Sequence, residues 1–294
     1  PALARRLTGQ AAWRAELGLA AEGTQLAADV DLSGVGIDLP PPLGRRPGQP
    51  GRLRARAESE AMDRWSLHYD DWLHARYASD PAGHRLGVQL GEGEAGLPER
   101  SGVVVRGRLA QLDLDAWRAL ELGDGGAVTA WPVEIDARAG ALRAFGRDWG
   151  EVRAQGGRRG SGWRFELSGA QIDGEVRYEP LSGAAGMRFD GRFKRLHLPA
   201  PAVGATATPA RAPTEAAEWP REVVLQVDRF AYQGRELGTL AARLVADGQG
   251  HRLDSLSLSA AEGRLDASGW LAATAQRDTR LRLRLVSPNT GHLL

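Results

Sequence analysis

Side chains able to do chemistry are few and scattered in this chain. His68, Asp70, Asp71, His74 and His84 fall within one stretch and could ligate a metal. Their spacing fits no ligand pattern, and Trp65, Tyr69, Trp72 and Tyr77 between them make the segment read as the polar rim of a strand. The carboxylate pairs Asp113/Asp115 and Asp70/Asp71 could supply the acid and base of glycan hydrolysis. Asp113 and Asp115 would share one face of a strand, but Asp115 is better used as the cap of a short helix. There is no cysteine, which removes disulfides, thiolate metal sites and cysteine nucleophiles together and leaves the compartment open. No Gly-x-Ser-x-Gly elbow, phosphate-binding loop or dinucleotide signature occurs. The expectation is a protein that is not an enzyme, with no catalytic residue, metal or cofactor. Arg280, Arg282 and Arg284 could meet phosphates of nucleic acid or of lipid headgroups, yet an alternating row of this kind reads first as a solvated strand face that discourages edge pairing. With 38 basic and 37 acidic residues no large field draws the molecule to nucleic acid, and none is expected as a partner.

The elements that carry these residues announce themselves by period-two alternation from end to end. Trp13, Ala15, Leu17 and Leu19 alternate with Arg14, Glu16 and Gly18, and Leu26, Ala28, Val30 and Leu32 follow after a turn at Glu22-Gly23-Thr24. Val133, Ile135 and Ala137 alternate with Glu134, Asp136 and Arg138; Trp163, Phe165 and Leu167 with Arg164 and Glu166; Met187, Phe189 and Phe193 with Arg188, Asp190, Arg192 and Lys194; Leu281, Leu283 and Leu285 with the three arginines. Successive strand residues point to opposite faces, so each run has one wet and one dry side.

Turn residues at Asp124-Gly125-Gly126, Gly156-Gly157, Gly160-Ser161-Gly162, Ser182-Gly183 and Asp247-Gly248 separate the runs at short intervals. The predicted fold class is therefore all-β: an elongated antiparallel meander curled into a groove or taco-like sheet, with one or two short helices. One helix is predicted after Asp115, and a weaker candidate covers Glu58 to Trp65. Leu39 to Pro47 cannot lie inside a sheet because proline lacks a ladder donor, and Pro199 to Pro213 has no periodicity. Trp131-Pro132 recurs as Trp219-Pro220, and Gly146-Arg147-Asp148-Trp149-Gly150 as Gly234-Arg235-Glu236-Leu237-Gly238, both at a spacing of 88 residues. The expected organisation is an N-terminal β-module over 1–130 carrying a Pro-rich loop at 39–50 and a short helix near 115–121, a first β-repeat at 131–198, a linker at 199–220, and a second β-repeat at 221–294 truncated at its C-terminus.

An amphipathic sheet must cover its dry face. With helices nearly absent, either the meander closes as a sandwich or barrel, serving as an envelope scaffold or carbohydrate-binding module, or it forms an open gutter completed by a ligand such as acyl chains. At about 25 cal/mol per Å² of apolar area, sequestering one acyl chain is favourable by several kcal/mol.

Two stretches bear on that choice. Asp31-Leu32-Ser33-Gly34-Val35-Gly36-Ile37-Asp38-Leu39-Pro40-Pro41-Pro42-Leu43-Gly44-Arg45, and Gly102-Val103-Val104-Val105-Arg106-Gly107-Arg108-Leu109 leading to Leu112-Asp113-Leu114-Asp115-Ala116-Trp117, resemble the YhdP family of AsmA-like proteins. Val227 to Gly238, Leu256-Ser257-Leu258-Ser259 and Gly263 to Trp270 look like that family's recurring C-terminal units. The resemblance implies a Gram-negative envelope protein anchored in the inner membrane by an N-terminal helix and crossing the periplasm as a β-groove. It implies movement of phospholipid between the inner and outer membranes in support of the permeability barrier. An anchor is missing here, and the chain stops at Gly291-His292-Leu293-Leu294 where members continue into an amphipathic helical region, so the chain reads as a piece of a longer protein. The residues expected to line the groove against acyl chains are Val133, Ile135, Phe165, Leu167, Val223, Leu225, Val227, Leu256, Leu258, Leu281, Leu283 and Leu285.

Overall fold

Alternating apolar and charged residues fold as strands almost throughout the computed structural model, which describes residues 4–20, 23–57, 63–81, 83–120, 131–182, 186–201, 220–246, 250–272 and 279–287. The expected turns at 124–126 and 247–248, Gly183 and most of the linker lie outside the described residues. The chain divides into two units, Pro1–Phe145 with Arg153–Gly160, and Gly146–Val152 with Ser161–Leu294.

The first unit holds β1 (Leu7–Gly9), β2 (Ala12–Ala20), β3 (Gly23–Asp31), β4 (Val35–Ile37), β5 (Arg52–Ala57), β6 (Arg64–Tyr69), β7 (Leu73–Asp80), β8 (Gly83–Leu90), β9 (Gly102–Asp113) and β10 (Val133–Ala144). β1 and β4 form a two-stranded ribbon, and the other eight lie side by side in the order β2-β3-β5-β6-β7-β8-β9-β10. β11 (Arg147–Arg159) runs through both units, and the second unit continues with β12 (Gly162–Gly169), β13 (Ile172–Pro180), β14 (Met187–Leu198), β15 (Glu222–Tyr232), β16 (Arg235–Ala246), β17 (Gly250–Ala260), β18 (Gly263–Ala272) and β19 (Arg280–Val286) in sequence order.

The all-β expectation holds, but the sheet is mixed rather than antiparallel throughout. β8 with β9, β9 with β10, and β14 with β15 are parallel pairs. The reason is connection length: a two-residue turn can join only antiparallel strands, whereas a parallel neighbour needs a crossover of about a dozen residues. The strands of these pairs are separated by residues 91–101, 114–132 and 199–221, of which 121–130 and 202–219 lie outside the described residues.

The internal repeat is visible strand by strand, since β10 to β14 recur as β15 to β19, each set entered through a parallel crossover. The turn residues Phe145 and Gly146, with φ of 55° and 65°, recur as Gln233 and Gly234 at 50° and 80°. Both residues in the left-handed region is the geometry of a hairpin turn whose twist matches its strands.

One helix is present, α1 (Leu114–Arg118), and its cap is Asp113 rather than the expected Asp115. Asp113 is extended, and its Oδ1 accepts from Ala116 N at 2.9 Å, the reach of a cap to the third helical residue. Asp115 sits inside the first turn and its Oδ1 accepts from Phe145 N at 2.7 Å, tying the helix to the β10–β11 turn. Asp113→Ala is expected to cost about 1 kcal/mol, read as a lowered urea midpoint. The weaker helix candidate fails where it is described, because Arg64 and Trp65 open β6; residues 58–62 lie outside the described set. Leu39 to Pro47 turns outside the ladders, with Trp117 Nε1 donating to Pro41 O at 3.1 Å and Arg45 meeting Asp70 at 3.9 Å.

Candidate functional site

Strand register decides which side chains share a face, because residues paired across neighbouring strands point to the same side. In the second unit three cross-strand rows run unbroken over eight strands. One is Leu167, Gly174, Phe193, Val227, Leu240, Leu258, Leu265 and Leu285; the next is Phe165, Val176, Gly191, Leu225, Ala242, Leu256, Ala267 and Leu283; the third is Trp163, Tyr178, Phe189, Val223, Leu244, Leu253, Gly269 and Leu281. Every position is apolar, aromatic or glycine. The parity survives because register shifts at Asp173/Gly174, Arg243/Leu244 and Leu253/Leu256 keep the apolar residues on one side.

The first unit repeats the arrangement. Trp13, Val30, Leu53, Tyr69, Leu73, Leu90, Gly107 and Ala137 form one row; Ala15, Ala28, Ala55, Leu67, Ala75, Val88, Val105 and Ile135 the second; Leu17, Leu26, Ala57, Trp65, Tyr77, Leu86, Val103 and Val133 the third.

The structure therefore places Phe165, Leu167, Val223, Leu225, Val227, Leu256, Leu258, Leu281, Leu283 and Leu285 on one face of the second unit, and Val133 and Ile135 on the apolar face of the first. Leu240, Leu244, Leu265, Leu86, Val88 and Leu67 belong to the same faces and were missed; alternation around each of them was the available signal. Coverage of these faces is partial. Val227 and Leu253 are buried, and Val133, Ile135, Phe165, Leu167, Val223, Leu225, Leu256 and Leu258 are half-buried. Leu281, Leu283 and Leu285 are 43%, 62% and 57% exposed, and Trp13 and Leu17 on β2 are 71% and 59% exposed. No large side chain is fully buried among the described residues.

The opposite face is a lattice of charges. Glu175 meets Arg164 at 2.8 Å and Arg177 at 2.5 Å, Glu222 meets Arg243 at 3.0 Å and Arg188 at 3.6 Å, and Asp254 meets Arg252 at 2.6 Å. Arg153 grips Asp136 through Nε and Nη2, both at 2.8 Å, and Gln155 donates to it at 3.2 Å. Those bonds hold the Asp136 carboxyl below the usual carboxylate range. A lowered folded pKa stabilises the protein above the unfolded value of about 3.9, and this contribution is lost as pH falls through the folded value. Both side chains are more than a third exposed, so solvent screens the pair and its contribution is small. The stability deficit of Asp136→Asn relative to the native chain is expected at pH 6 and to vanish by pH 2, as checked by urea midpoints.

The metal-capable stretch separates in space. His68 and His74 face one another from β6 and β7 on the charged side, with Nδ1 atoms 2.7 Å apart; burial first, and then the facing His74, depress the His68 pKa. His84 lies on the apolar side, its Nδ1 2.7 Å from Tyr77 Oη and its ring stacked 5.3 Å from Trp131. Asp70 accepts from Arg52 N at 2.6 Å. Among the described residues no three histidines, aspartates or glutamates gather as a metal site. Asp113 and Asp115 are occupied as cap and tie. Trp163 stacks on Phe165 at 5.7 Å on the apolar face, whereas Trp270 pairs in register with Arg252 and Arg280 on the charged one.

Among the described residues no helix is long and apolar enough to cross a membrane. No curated protein and no solved structure matches the chain. One family does, described as YhdP protein, and it matches residues 1–294. This two-faced, repeating β-chain belongs to the YhdP family.

Proposed function

We propose that the apolar faces of this chain shield and conduct phospholipid acyl chains, as part of a periplasm-spanning AsmA-like protein that passes lipid between the inner and outer membranes and supports the outer-membrane permeability barrier. Membership of the YhdP family points to an AsmA-like envelope protein. The single observation that carries the finer reading is the run of three unbroken apolar rows across eight strands, in which Phe193, Val227, Ala242, Leu253 and Ala267 are buried while Leu225, Leu256 and Leu258 stay partly exposed and Leu281, Leu283 and Leu285 are exposed. A closed sandwich interior packs as densely as an organic crystal and leaves its inward leucines almost no accessible surface. Leu225, Leu256 and Leu258 keep theirs in the middle of the face.

Dimensions fit the cargo. Eight strands at about 4.8 Å spacing make a track of roughly 34 Å in each unit, about twice the hydrocarbon depth of one leaflet, roughly 15 Å. Three alternate rows about 6.7 Å apart give a strip about 13 Å wide, enough for two tails abreast. Tails on the strip leave the headgroup in water, so the mechanism is passive shielding in a groove-like sheet, and the parent protein is read as anchored in the inner membrane. Native mass spectrometry of the purified chain is the test: phospholipid adducts are expected, and a spectrum of bare protein, with vesicle-derived lipid equally absent after incubation, would sink the proposal and favour a scaffold or carbohydrate-binding role.

A further inference from the structure

The charged face of the first unit carries a pair of facing histidines. His68 on β6 and His74 on β7 are direct cross-strand partners, their Nδ1 atoms 2.7 Å apart and their rings at 78°. Arg54 and Gln89 continue the same row on β5 and β8. At 2.7 Å the two nitrogens share one proton, donated by one imidazole to the lone pair of the other.

The geometry points to a chelating site for a divalent transition cation, with Nδ1 of His68 and Nδ1 of His74 as its two protein ligands and water completing the shell. Imidazole nitrogens bind such ions at about 2.0–2.1 Å, so two of them in cis positions sit roughly 2.9 Å apart in a square arrangement and roughly 3.3 Å apart in a tetrahedral one. The observed spacing is about 0.2 Å short of the first and further from the second, and for either each ring must turn so that its Nδ1 lone pair leaves the facing nitrogen and points at the shared ion. Square or tetragonal preference combined with imidazole ligation selects Cu²⁺, then Ni²⁺, over Zn²⁺. Binding is balanced in protons: the hydrogen shared between the Nδ1 atoms moves to Nε2 of the ring that carried it, and both Nδ1 lone pairs go to the metal. Arg54 and Arg56 oppose a cation at His68, Asp29 pairs with Arg54 at 3.8 Å and Glu94 acts in the opposite sense, so no strong negative field draws hard ions and the site relies on donation from the imidazole nitrogens. The site lies on the face opposite the apolar rows, so it is independent of lipid.

The test is a titration of the chain with CuCl₂, followed by calorimetry and by electron paramagnetic resonance. One Cu²⁺ per chain with hyperfine structure from two nitrogens is expected, with Zn²⁺ bound more weakly. His68→Gln and His74→Gln should each weaken Cu²⁺ by about tenfold or more, about 1.4 kcal/mol, whereas His84→Gln should not. Both substitutions lie on the charged face, and unchanged urea midpoints verify folding. A resonance spectrum showing a single nitrogen ligand, or affinity indifferent to both substitutions, overturns the assignment; the spectrum of the native chain decides even if a variant folds poorly.

Discussion

Leu283→Asp is expected to leave the protein folded and to lower recovered phospholipid by about tenfold or more. Leu283 is 62% exposed on β19, between Leu281 and Leu285, and its row continues through Ala267, Leu256 and Ala242 to Leu225. Because so little of it is buried, folding gains almost nothing from it, and substitution should move the urea midpoint by no more than about 0.5 kcal/mol. An acyl chain lying on that row buries the leucine against hydrocarbon, a contact worth about 1.5–3 kcal/mol for a full side chain. A carboxylate there must also be stripped of water when the tail covers it, which adds to the loss. Leu225→Asp should abolish lipid as well, but at a measurable cost in stability, since Leu225 is half-buried between Gly191 and Ala242. The ratio of the two effects separates the readings. If Leu283→Asp keeps its lipid at native levels, the strip on β19 does not carry tails; if it unfolds the chain, the residue belongs to a core.

Alternation was enough to read Trp163-Arg164-Phe165-Glu166-Leu167 or Arg280 to Leu285 as strands with one dry face, because side-chain direction is a local consequence of extended backbone. Which strands adjoin is not local. The meander expectation failed at β8–β9, β9–β10 and β14–β15, whose paired strands run in the same direction, and nothing in the alternation of Val103 to Leu109 or Val133 to Ala139 distinguishes a parallel neighbour from an antiparallel one. The continuity of the apolar rows was likewise hidden, since it depends on bulges such as that at Arg243/Leu244, which leave no mark in hydrophobicity. Asp113 and Asp115 differ by two positions and both precede an apolar run; only the extended backbone of Asp113 identifies the cap. The facing of His68 and His74 was closer to legible. Both flank Asp70-Asp71-Trp72 at equal distance from Asp71, so a tight turn centred there brings them opposite, but the turn had to be recognised first.

The repeat allows a stability prediction in which sequence context is nearly held constant. Gly150 and Gly238 are equivalent positions, both in the second unit and both left-handed, with φ of 66° and 84°. Alanine at either must adopt a conformation that disfavours a Cβ by about 1–2 kcal/mol, partly offset by the lower entropy of the unfolded chain. Their surroundings differ. A Cβ at Gly150 meets nothing within 4 Å, whereas at Gly238 it would fall 2.0 Å from Ser259 O on the neighbouring strand and 2.9 Å from Ala260 Cα. Those are backbone atoms in the β16–β17 ladder, so relief requires the ladder at Thr239–Ser259 to open, and overpacking of that kind costs a further 1–3 kcal/mol or so. Gly238→Ala is therefore expected to lose about 2–5 kcal/mol and Gly150→Ala about 1 kcal/mol, compared by urea midpoints of the same spectroscopic signal. Amide exchange should quicken across Leu240 to Leu244 and Leu253 to Ser259 in the first variant only, since those amides lie in the ladder that has to part. Equal losses in the two variants would mean that β17 gives way without resistance at Ser259, and that the register holding Leu240 beside Leu258 and Ala242 beside Leu256 is softer than the unbroken apolar rows require.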